Sequence, residues 1–133
     1  MKGVAAKLTR ALNIGSLVLA SDNSGARIVK IVSVKRGKSK KGRQQYAKIG
    51  DKVKVSVRKG NYKMKGQVFD AVVIRQKKPF RRNTGERIAF TDNAVALLKD
   101  DKGNPKGTQI KGPISKEVSI KWPFLARITK FVL

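Results

Sequence analysis

The chain has 133 residues, of which 32 are Lys or Arg and only 8 are Asp or Glu, so its formal net charge is +24. Self-repulsion on this scale calls for a polyanionic partner, although 40% apolar residues suffice for one domain with a modest core. The absence of Cys and His excludes the usual zinc sites, imidazole bases and thiolate nucleophiles, so we expect neither a metal nor a cofactor.

The first twenty residues carry scattered charges and no uninterrupted apolar run of the length found in signal peptides or membrane spans. We therefore expect a soluble cytoplasmic protein without a membrane partner. Residues 4–12, VAAKLTRAL, fit either a short helix or an extended lead-in, and the pattern does not decide between the two.

Alternating apolar residues dominate the middle of the chain and predict β-strands. In DKVKVSVR (51–58), Val53, Val55 and Val57 fall on one face, as in a half-buried strand. Residues 26–34 and 68–75 are more continuously apolar, which predicts strands covered on both sides. SLVLA (16–20), RIAF (87–90) and AVALL (94–98) are shorter candidates, and Gly, Asn and Asp clusters separate them. Five or six short strands in so small a chain predict a closed or partly closed barrel.

The C-terminal residues change to helical spacing. Val118, Trp122 and Leu125 form one apolar set, and Ile120, Phe124, Ile128 and Phe131 form a second. Ser115 is a candidate N-cap with Glu117 in the first turn, and Pro123 would begin a second short helix. We therefore divide the single domain of residues 1–133 into a barrel over about 14–112 and a helical segment over about 113–133. The helices either pad the barrel or provide a protein-docking surface.

Positive charge is concentrated in three stretches that lie in or beside connections between strands. Residues 35–48, 58–65 and 75–87 hold seven, four and six Lys or Arg, and Glu86 is the one acidic residue among them. A single charged run is usually a solvated loop, but three such runs with almost no acidic relief favour nucleic acid, whose phosphates offer a line of charges. The runs contain little bulky apolar sequence, which argues against a membrane surface.

Few aromatic residues interrupt the basic runs, so recognition of folded RNA by shape and backbone fits better than stacking of single strands. Tyr46, Tyr62 and Phe80 are the candidates for stacking, and Phe80 fits equally well tucked under its own loop. Asp100 and Asp101 are adjacent carboxylates within a Gly/Pro turn, where a loop role is the simpler interpretation than acid–base chemistry.

Four segments resemble, in order and spacing, the universal family of ribosomal protein fourteen of the large subunit. They are ASDNSGAR (20–27), AVVIR (71–75), NTGERIAFTDNAVALL (83–98) and GTQIKGPISKE (107–117). The long N-terminal lead-in and the ending WPFLARI resemble the archaeal and eukaryotic branch more than the bacterial one. Bacterial members have a shorter segment in place of RGKSKKGRQQ, so the resemblance transfers least securely there.

The resemblance implies a non-enzymatic structural protein of the large ribosomal subunit, with a five-stranded barrel, basic loops and short C-terminal helices. It implies binding to large-subunit rRNA, intersubunit bridges to small-subunit rRNA, a position beside ribosomal protein three and neighbouring large-subunit proteins, and docking of a subunit anti-association factor near the C-terminal helices. In that case rRNA phosphates would neutralise the basic run at 35–48. Another protein is an alternative partner for the tip of this run.

Together, the basic runs and the resemblance nominate three groups of residues. The rRNA-binding group is Asn23, Arg27, Lys35, Arg36, Lys38, Lys40, Lys41, Arg43, Arg75, Lys77, Lys78, Arg81, Arg82 and Asn93. The bridge group is Arg58, Lys59, Asn61 and Lys63, for which an ordinary hairpin loop is the alternative. The protein-docking group is Lys116, Trp122, Phe124 and Arg127.

Two rival functions remain open from the sequence. The first is a free single-strand binder with an oligonucleotide-binding barrel, which would depend on stacking aromatics. The second is a phosphotransfer or nuclease enzyme, which lacks a convincing carboxylate cluster. Gly37 and Gly42 have the spacing of a Walker phosphate loop, but Arg43 and Gln44 stand where Lys and Ser or Thr are required.

Overall fold

A computed structural model describes residues 8–35 and 38–133 of the chain. It contains nine strands and two helices in these ranges, and five of the strands close into a barrel in the order β1-β2-β3-β4-β7. The barrel strands are β1 (Leu17–Ala20), β2 (Ala26–Val34), β3 (Lys52–Gly60), β4 (Val68–Arg75) and β7 (Ala94–Leu98). The predicted five-stranded barrel is confirmed.

Strand direction determines which connections share an end of the barrel. β2, β3, β4 and β7 are successive antiparallel neighbours, and β1 closes the barrel by pairing parallel with β7 and antiparallel with β2. The β2–β3 and β4–β7 connections therefore leave one end. The β1–β2 and β3–β4 turns, and the chain after β7, leave the other end.

The predicted inward face of β3 is confirmed, because Val53, Val55 and Val57 are all buried. Strands β4 and β7 are buried on both faces over residues 71–75 and 94–98. Backbone hydrogen bonds from the Lys106 amide to the Leu97 carbonyl and from the Ser115 amide to the Ile74 carbonyl hold later segments against these two strands. The same prediction for β2 is wrong, since Val32 is 38% exposed and β2 alternates as a half-buried strand does.

The lead-in is extended where the structure describes it, because Leu12 and Ala47 exchange two backbone hydrogen bonds of 2.8 and 2.7 Å. Leu8 and Leu12 are buried against the barrel. The earlier part of the expected segment, residues 4–7, lies outside the described residues.

A short hairpin of β5 (Phe80–Arg81) and β6 (Arg87–Ile88) projects from the β4–β7 connection. The RIAF segment therefore belongs to this hairpin and not to the barrel. The remaining strands, β8 (Pro113–Ile114) and β9 (Phe131–Val132), pair parallel with each other beside the barrel.

The C-terminal helices are α1 (Lys116–Lys121) and α2 (Pro123–Ala126). Pro123 begins α2 as predicted, and Ser115 precedes α1, although its hydroxyl donates to the Glu117 carboxylate and accepts no hydrogen bond from a helix amide. The helical spacing expected to reach Phe131 is wrong, because Phe131 lies in β9. Both helices in the described part of the chain are far too short to cross a membrane.

Candidate nucleic-acid interface

Two of the three basic stretches, residues 35–48 and 75–87, occupy the same end of the barrel. They belong to the β2–β3 and β4–β7 connections, which leave the barrel together. We call these two stretches the basic end. The third stretch, residues 58–65, spans the β3–β4 turn at the opposite end. The three basic stretches of the sequence therefore form two separate basic surfaces in the structure.

The buried side chain of Gln76 forms hydrogen bonds to separate segments at the basic end. Its side chain is fully buried, its Oε1 accepts from the Ile49 amide at 3.1 Å, and its Nε2 donates to the carbonyl oxygens of Thr9 at 3.2 Å and Lys78 at 3.0 Å. One amide therefore connects the lead-in, the β2–β3 connection and the β4–β7 connection. Sequence reasoning missed this residue, because an isolated Gln beside a basic run reads as another surface polar group.

The tip of the 35–48 stretch is a tight turn. Lys40 and Arg43 form an isolated bridge, the Arg43 amide donates to the Lys40 carbonyl at 3.0 Å, and the central residues Lys41 and Gly42 have φ of 52° and 80°. Two positive φ values in succession are typical of a type I′ turn. The Arg43 guanidinium also donates to the Lys38 carbonyl from Nε and Nη2. The tip therefore presents its cations from a defined backbone.

The hairpin of the basic end places two like charges opposite each other. Arg81 and Arg87 are cross-strand partners, and both side chains are exposed. Directly opposed like charges destabilise a strand pair. Two guanidinium groups at this spacing are suited to an anion that lies between them, since each can donate to two oxygens of a phosphate.

Most carboxylates of the protein already have partners within the protein. Seven of the eight acidic side chains take part in ion pairs or hydrogen bonds within the protein, namely Asp22, Asp51, Asp70, Asp92, Asp100, Asp101 and Glu117. Their partners include Lys52, Arg75, Arg82 and Lys121. The exposed cations of the basic end are therefore left for an external anion.

Most of the predicted rRNA-binding cations are exposed. At the basic end these are Lys35, Lys38, Lys40, Lys41, Arg43, Lys77, Lys78 and Arg81. Arg27 is also exposed but lies in β2 near the opposite end of the barrel. Arg36 lies outside the described residues.

Arg75 requires a correction, because it is 6% exposed and all five of its N–H groups are used inside the protein. They donate to both carboxylate oxygens of Asp92, to the Ser21 hydroxyl and to the carbonyls of Lys111 and Pro113. No donor remains for a phosphate. Arg75 is therefore a structural residue that ties the basic end to the C-terminal segment.

Some of the N–H donors of Arg82 are likewise used within the protein. Its Nε and Nη2 donate to the two carboxylate oxygens of Glu117, and Nη2 also donates to the backbone oxygen of Leu133. Burial by itself raises the pKa of Glu117, but the hydrogen bonds from Arg82 and Ser115 outweigh it, and the pKa lies below its ordinary value. This pair fastens α1 to the basic hairpin.

The two predicted asparagines stabilise loops. Asn23 Oδ1 accepts from the amides of Thr108 and Gln109 at 2.8 and 3.2 Å, and its Nδ2 donates to the Thr108 hydroxyl. Asn93 Oδ1 accepts from the Lys77 amide at 2.8 Å and so holds the start of the basic β4–β7 connection. Each asparagine therefore has a local structural role whether or not it also contacts RNA.

The predicted bridge residues share one exposed turn. Arg58, Lys59, Asn61 and Lys63 all have exposed side chains, and they flank Tyr62 along the chain. Met64 is buried beneath the turn. The segment therefore connects two neighbouring antiparallel strands, and it also carries several exposed cations.

The predicted docking residues do not all reach the surface. Lys116 and Arg127 are exposed, and Phe124 is half-buried with the Arg127 guanidinium 5.2 Å from its ring centroid. Trp122 is corrected: it is 8% exposed, and its indole Nε1 donates to the Gly50 carbonyl at 2.8 Å. The indole therefore packs the helical segment against the barrel. This agrees with the interpretation that the helices pad the barrel.

The other aromatic side chains argue against a stacking platform at the basic end. Phe80 is fully buried, which supports the alternative that it packs under its own loop and is not free to stack on a base. Tyr46 is half-buried, with the Arg10 guanidinium 4.3 Å from its ring centroid. Tyr62, at the opposite end, is 85% exposed.

Asp100 and Asp101 have the predicted loop role. Asp100 accepts from the amides of Lys102 and Asn104 and from the Asn104 side chain, and the last of these bonds is the largest cause of its lowered pKa. Asp101 pairs with Lys52 at 3.1 Å, which lowers the pKa of Asp101. Among residues 8–35 and 38–133, no group of three or more acidic side chains is placed to hold a metal ion.

Comparison with known proteins gives one consistent family. The family model described as Ribosomal protein L14p/L23e matches residues 11–133. The chain belongs to this family. It is 53% identical to the large ribosomal subunit protein uL14 of Nanoarchaeum equitans over the full length of both chains. The proteins of the same name from Methanothrix thermoacetophila and Halobacterium salinarum are 49% identical over 95% of both chains and 44% identical over the full length of both.

The family match confirms the resemblance drawn from the sequence, including its archaeal-like branch. The family is one of ribosomal proteins and not of enzymes, so the non-enzymatic prediction and the ribosomal localisation are confirmed. The matches to the quoted relatives cover 95–100% of this chain.

Proposed function

We propose that this protein is a structural component of the cytoplasmic large ribosomal subunit and that its basic end binds large-subunit rRNA. One observation carries the proposal: the exposed cations of two connections converge on one end of the barrel, while the ion pairs among the described residues use other cations, namely Lys52, Arg75, Arg82 and Lys121. Phosphate contacts of this kind position a protein on folded RNA without reading its sequence. The large-subunit names of the relatives support the same assignment.

The contact group of the basic end comprises nine exposed cations. They are Lys35, Lys38, Lys40, Lys41, Arg43, Lys77, Lys78, Arg81 and Arg87. Arg27, Arg36, Arg82, Asn23 and Asn93 stay in the predicted rRNA-binding group, while Arg75 leaves it because its donors are occupied.

At the opposite end, we propose that Arg58, Lys59, Asn61 and Lys63 contact small-subunit rRNA and form an intersubunit bridge. The supporting observation is the separation of this turn from the basic end by the length of the barrel. A protein fixed to one RNA at one end would present the turn to a second RNA at the other.

The C-terminal segment is our proposed protein-docking surface, with Lys116, Phe124 and Arg127 as its accessible residues. Its partners in this proposal are ribosomal protein three, neighbouring large-subunit proteins and a subunit anti-association factor. Support comes from the position of this segment beside the basic end, where Arg82 and Glu117 join the two.

The proposal is tested by salt-dependent retention on particles. Large subunits from cells that express a tagged chain are washed at increasing salt on sucrose gradients, and the bound chain is quantified. We expect the wild type to sediment with large subunits and to be released only at elevated salt. Double replacement Lys40→Ala with Lys41→Ala should lower the releasing salt concentration. Sedimentation of the wild type with free protein at moderate salt would refute the proposal.

A further inference from the structure

Tyr62 is the most exposed large apolar or aromatic side chain of the described residues, at 85%. The nearest cation to its ring is the ammonium of Lys63, 5.9 Å from the ring centroid. An aromatic ring left in water gains nothing from folding, whereas the other tyrosine, Tyr46, is half-buried under Arg10. The exposure of Tyr62 therefore leaves its ring accessible to a partner outside this chain.

The turn that carries Tyr62 is held firmly. The Asn61 amide donates to the Gly25 carbonyl at 3.0 Å, and the amides of Met64 and Lys65 donate to the Asn61 carbonyl at 2.9 and 3.0 Å. The Gly66 amide donates to the Val57 carbonyl at 2.9 Å. With both sides of Tyr62 fixed in this way, little backbone entropy remains to be lost on binding.

Gly60 brings this turn against the β1–β2 turn. Its φ is 155°, and a Cβ atom at this position would lie 2.6 Å from the Gly25 carbonyl oxygen. Only glycine allows so close an approach of the two backbones. The position of Tyr62 is therefore determined by contacts beyond its own hairpin.

The surroundings of Tyr62 favour RNA over protein as the partner. Arg58, Lys59, Lys63 and Lys65 are exposed within four residues of Tyr62 along the chain, and residues 52–69 contain no acidic side chain. An acidic protein surface would satisfy the charges, but it would need a separate apolar pocket beside its carboxylates to bind the ring. RNA offers phosphates and flat bases together, and stacking on Tyr is a common mode of recognition for unpaired bases.

We propose that Tyr62 is a stacking site for one unpaired nucleobase of RNA, with Lys59 and Lys63 neutralising the adjacent phosphates. Paired bases are already stacked within their helix, so the target is a loop, bulge or flipped-out nucleotide. This inference rests on the proposed bridge at the same turn and names the chemical group that the turn recognises.

The experiment compares two RNA probes with the full-length protein. One is a hairpin with an unpaired loop, and the other is a blunt duplex with the same number of phosphates. Tyr62→Ala should weaken binding to the hairpin by about tenfold and leave duplex binding and the salt dependence unchanged. Tyr62→Phe keeps the ring and should bind as the wild type does.

Lys63→Ala is the matched control for charge. It should weaken binding to both probes and lower the slope of log affinity against log salt by about one. Equal loss on both probes with Tyr62→Ala, or no loss on either, would overturn the stacking proposal. Weakened binding to a ribosomal protein instead of to the hairpin would also overturn it.

A second measurement locates the contact directly. A photoreactive uridine in the hairpin loop is cross-linked to the wild-type protein, and tryptic peptides are analysed by mass spectrometry. The proposal expects the adduct on the peptide of residues 60–63, and an adduct confined to the basic end would refute it. In that case rRNA binding by the basic end still stands, whereas failure of the wild type to bind either RNA would overturn both proposals.

Discussion

Arg75 and Asp92 form a two-point ion pair between the last residue of β4 and the loop before β7. Arg75 Nε lies 2.9 Å from Asp92 Oδ1, and Nη2 lies 3.1 Å from Asp92 Oδ2. The remaining donors of the guanidinium reach Ser21 and the carbonyls of Lys111 and Pro113. One planar cation thus joins β4, the end of β1 and the start of the C-terminal segment.

Arg75→Lys should destabilise the protein even though it preserves the charge. An ammonium has three donors in place of five and cannot match the fork geometry, so buried acceptors lose their partners. We expect a loss of about 2 to 4 kcal/mol in the free energy of unfolding, measured by urea denaturation. Arg81→Lys, at an exposed side chain of the basic hairpin, is the matched control and should change stability by less than about 0.5 kcal/mol. Equal stability of Arg75→Lys and wild type would contradict the structural role.

Gln76→Met tests the buried amide that connects the basic end. The change keeps the side-chain length but leaves the Ile49 amide and the Thr9 and Lys78 carbonyls without this partner. We expect a loss of about 1 to 3 kcal/mol in stability and faster hydrogen exchange of the Ile49 amide. The exposed Gln44→Met should leave both quantities near their wild-type values. Unchanged protection of Ile49 would show that Gln76 does not hold the two connections together.

The barrel was predictable because its signal is repeated along the chain. Val53, Val55 and Val57 specify the inward face of β3, and the turn residues separate the strands. Family motifs added the ribosomal assignment, which composition alone left as one option among nucleic-acid binders.

The roles of individual side chains were less predictable, since they depend on contacts between distant segments. Arg75 looks like one more cation of a basic run, yet its partners lie up to 54 positions away. Trp122 looks like a docking aromatic, yet its indole reaches Gly50 across 72 positions. Charge and periodicity indicate which residue types are present, but tertiary packing decides which of them remain accessible.

Acid should loosen the C-terminal segment through Glu117. Its carboxylate accepts from Arg82 and Ser115, which hold its pKa below the ordinary value of 4.5 in spite of burial. A carboxyl with a depressed folded pKa contributes stability that is present above its unfolded pKa and is lost as the pH falls through the folded pKa. We therefore expect stability to fall as the solution is acidified below about pH 4.5.

Fluorescence of Trp122, the single tryptophan, during urea denaturation at a series of pH values measures this effect. Glu117→Gln should be less stable at neutral pH and should lose part of the dependence on pH. Glu86→Gln, at an exposed carboxylate of the basic hairpin, serves as the control and should follow the wild-type curve. Identical acid profiles for Glu117→Gln and wild type would rule out this role for Glu117.

Removing the charge repulsion between Arg81 and Arg87 should raise the stability of the free protein but weaken its binding to rRNA. The two side chains face each other across the hairpin, where like charges repel. Arg87→Glu replaces this repulsion with attraction and should stabilise the free protein by about 0.2 to 1 kcal/mol. The same change removes one phosphate donor and adds an anion at the basic end, so the variant should leave large subunits at lower salt. Lys99→Glu makes an equal change of charge at the exposed residue after β7 and should have the smaller effect on release. If Arg87→Glu is retained on subunits as firmly as Lys99→Glu, the hairpin is not part of the rRNA contact.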